Sequence, residues 1–203
     1  MKRYCKDIDI TDRNFISIAV RDCIKKKLSR KDTIELFCQY SGLPYNAIHR
    51  IVKHDYSKGY IDGLIETVID GIRQEIIYQS YVVKPIHYQT KIDGNSGKVR
   101  QIGIQDVKQQ LYDYIAAYGL WELFVAKIGY YQCSALENKG QIFGVKALKS
   151  WVDDHHIRYA IQSDIRHFYD TIDIDVLKDM LRRDVKNELL LNLTFFLIDT
   201  FDK

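Results

Sequence analysis

Tyr81-Val-Val-Lys-Pro-Ile-His-Tyr-Gln-Thr-Lys91, continued by Ile-Asp-Gly-Asn-Ser-Gly97 and Lys98-Val-Arg-Gln-Ile-Gly-Ile104, is the stretch that decides the fold of this 203-residue chain. β-Branched and aromatic residues dominate its first part, turn formers fill the middle, and polar and apolar residues alternate in the last part. Two such segments around a turn that contains Gly and Asn predict a β-hairpin. The chain on both sides has helical periodicity, so the hairpin interrupts a largely helical protein.

The flanking sequence predicts helices wherever apolar residues recur at spacings of three and four. Asp12 or Asn14 is the expected cap of the first helix, Ser29 or Asp32 of the second, and Asp173 of a later one. The predicted helices cover residues 14–29, 31–40, 45–54, 61–79, 106–127, 142–154, 174–183 and 187–201. Alternating strands and helices after a long helical start indicate an α/β or an α+β fold, and we expect α+β.

Composition and charge set broad limits on the function. Hydrophobic residues make up 46% and charged residues 28% of the chain, as in soluble globular proteins. The net charge of +3 combines a basic first half, which suits a polyanionic partner, with an acidic second half, which suits metal-binding carboxylates. From the counts alone, ordinary solvated charge is the simpler explanation.

Cysteine spacing and hydropathy predict a cytoplasmic protein. The four cysteines lie far apart and form no Cys-x-x-Cys pair, so we expect no zinc knuckle. We expect the four thiols to be reduced. No apolar stretch has the length of a membrane span, and the N-terminus has no apolar signal core. We therefore expect no membrane partner.

A single carboxylate stands out as a candidate for catalysis. Arg158–Ser163 is predicted to be a short strand, and Asp164 follows it directly. A carboxylate at the end of a strand lies at the rim of a sheet, where it can reach Mg²⁺ while its backbone stays rigid. An Asp that merely caps a turn is the simpler alternative, because Asp is common at strand ends.

Three segments, in order, resemble the motifs of bacterial and phage-type reverse transcriptases related to group II intron and diversity-generating retroelement enzymes. Asp-Ile-Arg-His-Phe-Tyr-Asp-Thr-Ile, residues 164–172, resembles the first catalytic motif. Lys98-Val-Arg-Gln-Ile-Gly-Ile104 with the Gln-rich helix start after it is similar to the fingers segment. Gln132-Cys-Ser134 with Lys139-Gly-Gln141 is similar to the element that precedes the palm strand. The resemblance covers roughly residues 81–185.

The resemblance implies an RNA-directed DNA polymerase, which copies an RNA template by adding dNTPs to a DNA primer. It implies a helical N-terminal region over residues 1–80, fingers over 81–155, and the first part of a right-hand palm over 156–203. Whether an accessory protein or an oligomer is needed stays open.

The same resemblance implies a role for individual residues. Asp164 would bind two catalytic Mg²⁺ ions, with the carbonyl of Ile165 as a further ligand. Tyr169 matches the aromatic residue that selects dNTPs over rNTPs by excluding a 2′-hydroxyl. Arg100 matches the fingers arginine that packs on the incoming base and contacts the triphosphate, and Lys98 and Lys91 are weaker phosphate-contact candidates.

Departures from the family pattern limit the expected activity. Tyr-x-Asp-Asp, whose two carboxylates normally complete the metal site, is absent. One carboxylate cannot hold two dications against their repulsion. We therefore expect the chain alone to be inactive, as a fragment, a truncated gene product or part of a longer enzyme. A catalytically inactive relative that binds RNA is an alternative.

A second alternative is a helix-turn-helix module that binds nucleic acid. The sequence of residues 32–52 predicts a helix, a Gly-Leu turn and a second helix. Arg50 and Lys53 of the second helix could face phosphates. A helix pair that merely packs explains the same pattern and is the simpler interpretation.

Overall fold

The computed structural model describes residues 2–54, 58–94, 97–133, 138–155, 157–166 and 168–201, without the side chains of residues 58, 155, 169 and 170. Within these ranges the chain is helical with one two-stranded antiparallel sheet, which confirms an α+β fold at this coarse level. None of the described helices is both long enough and apolar enough to cross a membrane. The elements are α1 (Arg13–Ile24), α2 (Lys31–Ser41), α3 (Tyr45–His54), α4 (Lys58–Ile77), β1 (His87–Ile92), β2 (Val99–Ile104), α5 (Val107–Gly119), α6 (Trp121–Lys127), α7 (Gln141–His155), α8 (Phe168–Thr171), α9 (Ile174–Asp184) and α10 (Glu188–Asp199).

Side-chain caps fix where several helices begin. The carboxylate of Asp12 accepts a hydrogen bond from the backbone N–H of Phe15, and Asp173 caps α9 in the same way, as predicted. Asp106 and Asn187 cap α5 and α10. Gly42 ends α2 with a φ of +72°, in the left-handed region that glycine adopts without strain, and lets the chain turn into α3.

One hydrophobic core joins helices from both ends of the chain. α1 packs against α4 and α5, α2 packs against the same two helices, and α10 packs against α5. The largest fully buried side chains are Tyr112, Phe37, Leu111 and a set of isoleucines that runs from Ile10, just before α1, to Ile115 in α5. The predicted boundaries at residues 80 and 155 stay predictions, because the packing shows only that the N-terminal helices and α10 share this core.

A buried polar cluster ties three core helices together. Glu75 on α4 accepts hydrogen bonds from Lys108 Nζ on α5 at 2.8 Å, from the hydroxyl of Tyr40 on α2 at 3.0 Å, and from the hydroxyl of Tyr112 on α5. Burial, with the nearby Glu75 carboxylate, raises the pKa of both tyrosines far above its ordinary value. Both hydroxyls therefore stay protonated and donate to Glu75.

The prediction of a strand at Arg158–Ser163 is wrong. This segment has no regular secondary structure and is exposed, with Tyr159 at 89% and Ile161 at 97%. A strand needs a neighbouring backbone to satisfy its N–H and C=O groups, and the described residues place none beside this segment. Asp164 therefore follows an open segment instead of closing a strand.

Other predicted bounds shift for local reasons. The strand predicted at residues 81–91 begins only at His87, because Pro85 has no N–H to donate and residues 81–86 run without regular structure. The helix predicted at residues 106–127 is two helices with a break at Leu120. α1 ends at Ile24 instead of residue 29, and Lys25-Lys-Lys27 forms a turn.

Candidate functional site

The β1–β2 hairpin brings the predicted nucleotide-binding cations together. Lys91 lies directly opposite Arg100 in the antiparallel register, so both side chains project from one face of the ribbon. Lys98 lies two residues before Arg100, and alternation places it on the same face. These three residues form what we call the cationic face. It is exposed along both strands.

Like charges face each other on this surface. Directly opposed side chains on one face of an antiparallel pair lie about 4.5–5.5 Å apart at Cβ, and equal charges there are destabilising. An ion pair offsets part of the charge: Arg100 Nη2 lies 3.6 Å from Asp93 Oδ2, and the Arg100 side chain is 64% exposed. A bound anion between Lys91 and Arg100 relieves the repulsion, which makes the face suited to phosphate groups.

The two ends of the hairpin are attached to the first turns of α2. Before β1, Lys84 Nζ pairs with Glu35 Oε2 at 2.7 Å. After β2, the backbone N–H of Val107 donates to Asp32 Oδ2 at 2.8 Å, and the guanidinium of Arg30 holds the same carboxylate. A groove of about 710 Å³ lies between hairpin and helix, with its walls formed by residues from both.

None of these attachments was predicted as functional. Asp32 was expected only as a helix cap, whereas the cap position of α2 is Arg30, which makes no side-chain capping bond. Glu35 and Lys84 have no functional role in the sequence predictions and are far apart in the sequence. Contacts of this kind depend on the tertiary arrangement, and a single sequence carries no local signal for them.

Asp164 lies outside the hairpin that carries the cationic face. It is exposed in the irregular segment of residues 157–166, as is Ile165 at 65%. That Asp164 acts together with Lys91, Lys98 and Arg100 stays a prediction.

The described residues do not by themselves fit a site for two Mg²⁺ ions. Within the ranges given above, no group of three or more His, Cys, Asp or Glu side chains is placed to hold a metal. Asp164 and the carbonyl of Ile165 supply two oxygen ligands, whereas two dications need several carboxylates. Binding of Mg²⁺ stays a prediction from the motif resemblance.

The remaining predicted residues are placed as follows. The side chain of Tyr169 lies outside the described part of the chain, so its role in selecting the sugar stays a prediction. Arg50 and Lys53 are exposed on α3, three residues apart on one side of the helix. Ile48 of the same helix is buried in the core, so α3 packs through one side and exposes the other.

Comparison with known proteins supplies no family for the chain. No family model matches it, and no curated protein matches it. The functional interpretation therefore depends on the motif resemblance and on the geometry of the cationic face.

Proposed function

We propose that this chain forms the fingers and the first part of the palm of an RNA-directed DNA polymerase, and that the cationic face binds the triphosphate of an incoming dNTP. The observation that supports this most directly is the placement of Lys91 opposite Arg100 on an exposed ribbon. Such a pair is unfavourable on its own and becomes favourable when an anion lies between its members.

The chemistry of the three cations fits a triphosphate. Arg100 presents a planar fork of donors that is always charged, which suits bidentate contact with phosphate oxygens and packing on a base. Lys91 and Lys98 supply point charges with rotatable donors. A mixed set of this kind attracts a polyphosphate strongly at low salt and less strongly as ionic strength rises.

Asp164 is the proposed metal-binding carboxylate, by motif resemblance alone. When bound, Mg²⁺ neutralises charge that develops on phosphate oxygens during nucleotidyl transfer. The sequence contains no Tyr-x-Asp-Asp to supply further carboxylates. We therefore expect the chain alone to bind dNTPs and not to extend a primer.

Binding of a fluorescent dATP analogue, followed by anisotropy, tests the proposal. We expect the double variant Lys91→Ala/Arg100→Ala to lose at least tenfold in affinity, since each charge-assisted hydrogen bond contributes about 1.5–3 kcal/mol. Arg50→Ala/Lys53→Ala removes two exposed cations from α3 and is the matched control, with unchanged dATP binding expected. An equal loss of dATP affinity in both double variants would mean that the nucleotide is attracted by the general positive charge of the chain and not by the cationic face.

The control variant also tests the alternative of a helix-turn-helix module. α2 and α3 are joined at Gly42 and expose Arg50 and Lys53, which is compatible with a phosphate-contacting helix. A polymerase fragment should prefer an RNA–DNA primer–template to duplex DNA. Preferential binding of duplex DNA that disappears in Arg50→Ala/Lys53→Ala would support the helix-turn-helix alternative instead.

A further inference from the structure

The hairpin has little support of its own. Every residue of β1 and β2 is exposed, so neither face of the ribbon is buried against a helix. An isolated two-stranded hairpin is marginally stable in water. The direction in which the cationic face points must therefore be set at the two ends of the ribbon, where the chain enters and leaves it.

The entering end is fixed to α2 by an ion pair. Lys84 lies three residues before β1, and its ammonium group is 2.7 Å from Glu35 Oε2. Lys31 Nζ lies 3.8 Å from the other oxygen of the same carboxylate. Pro85 directly after Lys84 restricts the backbone between this anchor and the strand. The chain thus approaches His87 from a defined point on α2.

The leaving end is fixed to the same part of α2 by a fully engaged carboxylate. Asp32 Oδ2 accepts from the backbone N–H of Val107 at 2.8 Å and from Arg30 Nη2 at 2.6 Å. Its Oδ1 accepts from Arg30 Nε at 3.0 Å and from the N–H of Thr33 at 3.1 Å. The Asp32 side chain is only 20% exposed, so these charge-assisted bonds are partly shielded from water.

The two anchors share a rigid base. Asp32 and Glu35 are three residues apart on α2, so both ends of the hairpin attach to one turn of a single helix. The opposite side of this helix is held in the core by Ile34 and Phe37, which are 2% and 0% exposed. A fixed helix therefore sets the position of an otherwise exposed ribbon.

We infer that Asp32 and Glu35 are positioning residues, which hold the cationic face in the orientation that binds a nucleoside triphosphate. This inference rests on the proposed function for its ligand. The anchoring itself is independent of any ligand. Neither carboxylate touches the nucleotide; each acts through the backbone that carries Lys91 and Arg100.

A charge swap between Glu35 and Lys84 tests the entering anchor. Glu35→Lys adds positive charge beside the groove, so a purely electrostatic role predicts tighter binding of the fluorescent dATP analogue. The positioning role predicts the opposite: affinity falls by up to about fivefold in Glu35→Lys and in Lys84→Glu, the range of one half-exposed ion pair. The double variant Glu35→Lys/Lys84→Glu restores the pair and should restore the affinity. Tighter binding in Glu35→Lys, or no rescue in the swap, overturns the inference.

Hydrogen exchange of the hairpin amides separates this inference from the proposed function. We expect faster exchange in residues 87–92 and 99–104 in Glu35→Lys, with an unchanged thermal midpoint and with recovery in the charge swap, and faster exchange of the same amides in Asp32→Asn. Asp179→Asn breaks an exposed ion pair with Arg182 on α9 and is the matched control, with no effect expected on the hairpin. If the wild-type chain binds no nucleotide, the proposed function fails, and the exchange data still decide the anchoring. If the hairpin amides exchange at the same rate in Asp32→Asn, Glu35→Lys and wild type, the inference that Asp32 and Glu35 position the hairpin is overturned.

Discussion

The helical core and the outer segments contain similar apolar residues and use them in opposite ways. In α4, Ile72 and Ile76 are fully buried. In the hairpin, in α7 and in the segment of residues 157–166, Ile92, Ile142 and Ile161 are 72%, 73% and 97% exposed. The difference lies in the partner: α4 packs against α1 and α2, whereas the described residues place no extensive packing beside the outer segments.

This contrast indicates which region stabilises the chain and which region carries the proposed binding site. Burial of apolar area and satisfied buried polar groups supply most of the folding free energy, so substitutions in the helical core should be costly. The outer segments contribute little to that free energy, and their charges remain available to a ligand. Substitutions in the two regions should therefore affect different measurements.

The largest expected effect is the removal of Glu75 from the buried cluster. Glu75→Ala leaves Lys108, which is 6% exposed, without its carboxylate, and loss of one partner of a buried pair costs about 3–5 kcal/mol of unfolding free energy. Glu66 on the same helix bridges Arg13 and Arg21 at the surface, so Glu66→Ala should cost about 1 kcal/mol or less. Urea unfolding measures both. Equal losses would mean that the Glu75 cluster is not shielded from water.

A smaller effect is expected from two glycines of α4. A Cβ at Gly71 would lie 2.2 Å from Cδ1 of Tyr40, whose ring is held by its hydrogen bond to Glu75, so Gly71→Ala should destabilise by about 1–3 kcal/mol. A Cβ at Gly63 meets no atom within 4 Å, and Gly63→Ala should stabilise the helix by about 0.5–1 kcal/mol. Thermal unfolding gives the sign of each change. Stabilisation in both variants would show that Tyr40 can move away.

The helical core was predictable because its signals are local. Repeats of apolar residues at helical spacing place α2, α3 and α9 within a residue or so at each end, and Asp12 and Asp173 cap as expected. The hairpin was predictable for the same reason, since turn formers and alternation lie within a few residues of one another. The start of β1 and the break at Leu120 were missed, because backbone donors and packing decide them.

The candidate site was predictable only in part. Alternation from Lys98 into β2 places Lys98 and Arg100 on one face, but the pairing of Lys91 with Arg100 depends on the register, which the sequence between the strands leaves open. The strand predicted at Arg158–Ser163 requires a neighbouring strand, and its own residues cannot supply one. Local patterns therefore predict faces and caps, and they do not predict partners.

A pH-dependent effect is expected at Asp113 on α5, within the helical region. Burial raises the pKa of this carboxyl to about 6, above its ordinary 3.8, so the folded state favours the protonated form. Its stabilising contribution is complete below pH 4 and is lost as pH rises to 6. The side chain of Asp113→Asn cannot ionise. The unfolding free energy of this variant should therefore rise relative to that of wild type by about 1–2 kcal/mol between pH 4 and pH 6, a value reduced for partial solvent access. Urea unfolding at both pH values measures it, and a constant difference would contradict the raised pKa.

The smallest effect on stability is expected at Lys91, where a loss of dATP affinity is expected instead. Lys91→Thr removes one of two opposed cations from an exposed strand and introduces a good strand former, so the unfolding free energy should change by less than about 0.5 kcal/mol. Any gain should be greatest at low salt, where the repulsion from Arg100 is least screened. Gln89→Thr on the same strand and face is the control, with neither the salt dependence nor a loss of dATP affinity expected. A loss of stability above 1 kcal/mol in Lys91→Thr alone would mean that the lysine side chain supports the core, because an exposed ribbon attached only at its ends cannot transmit so large a loss.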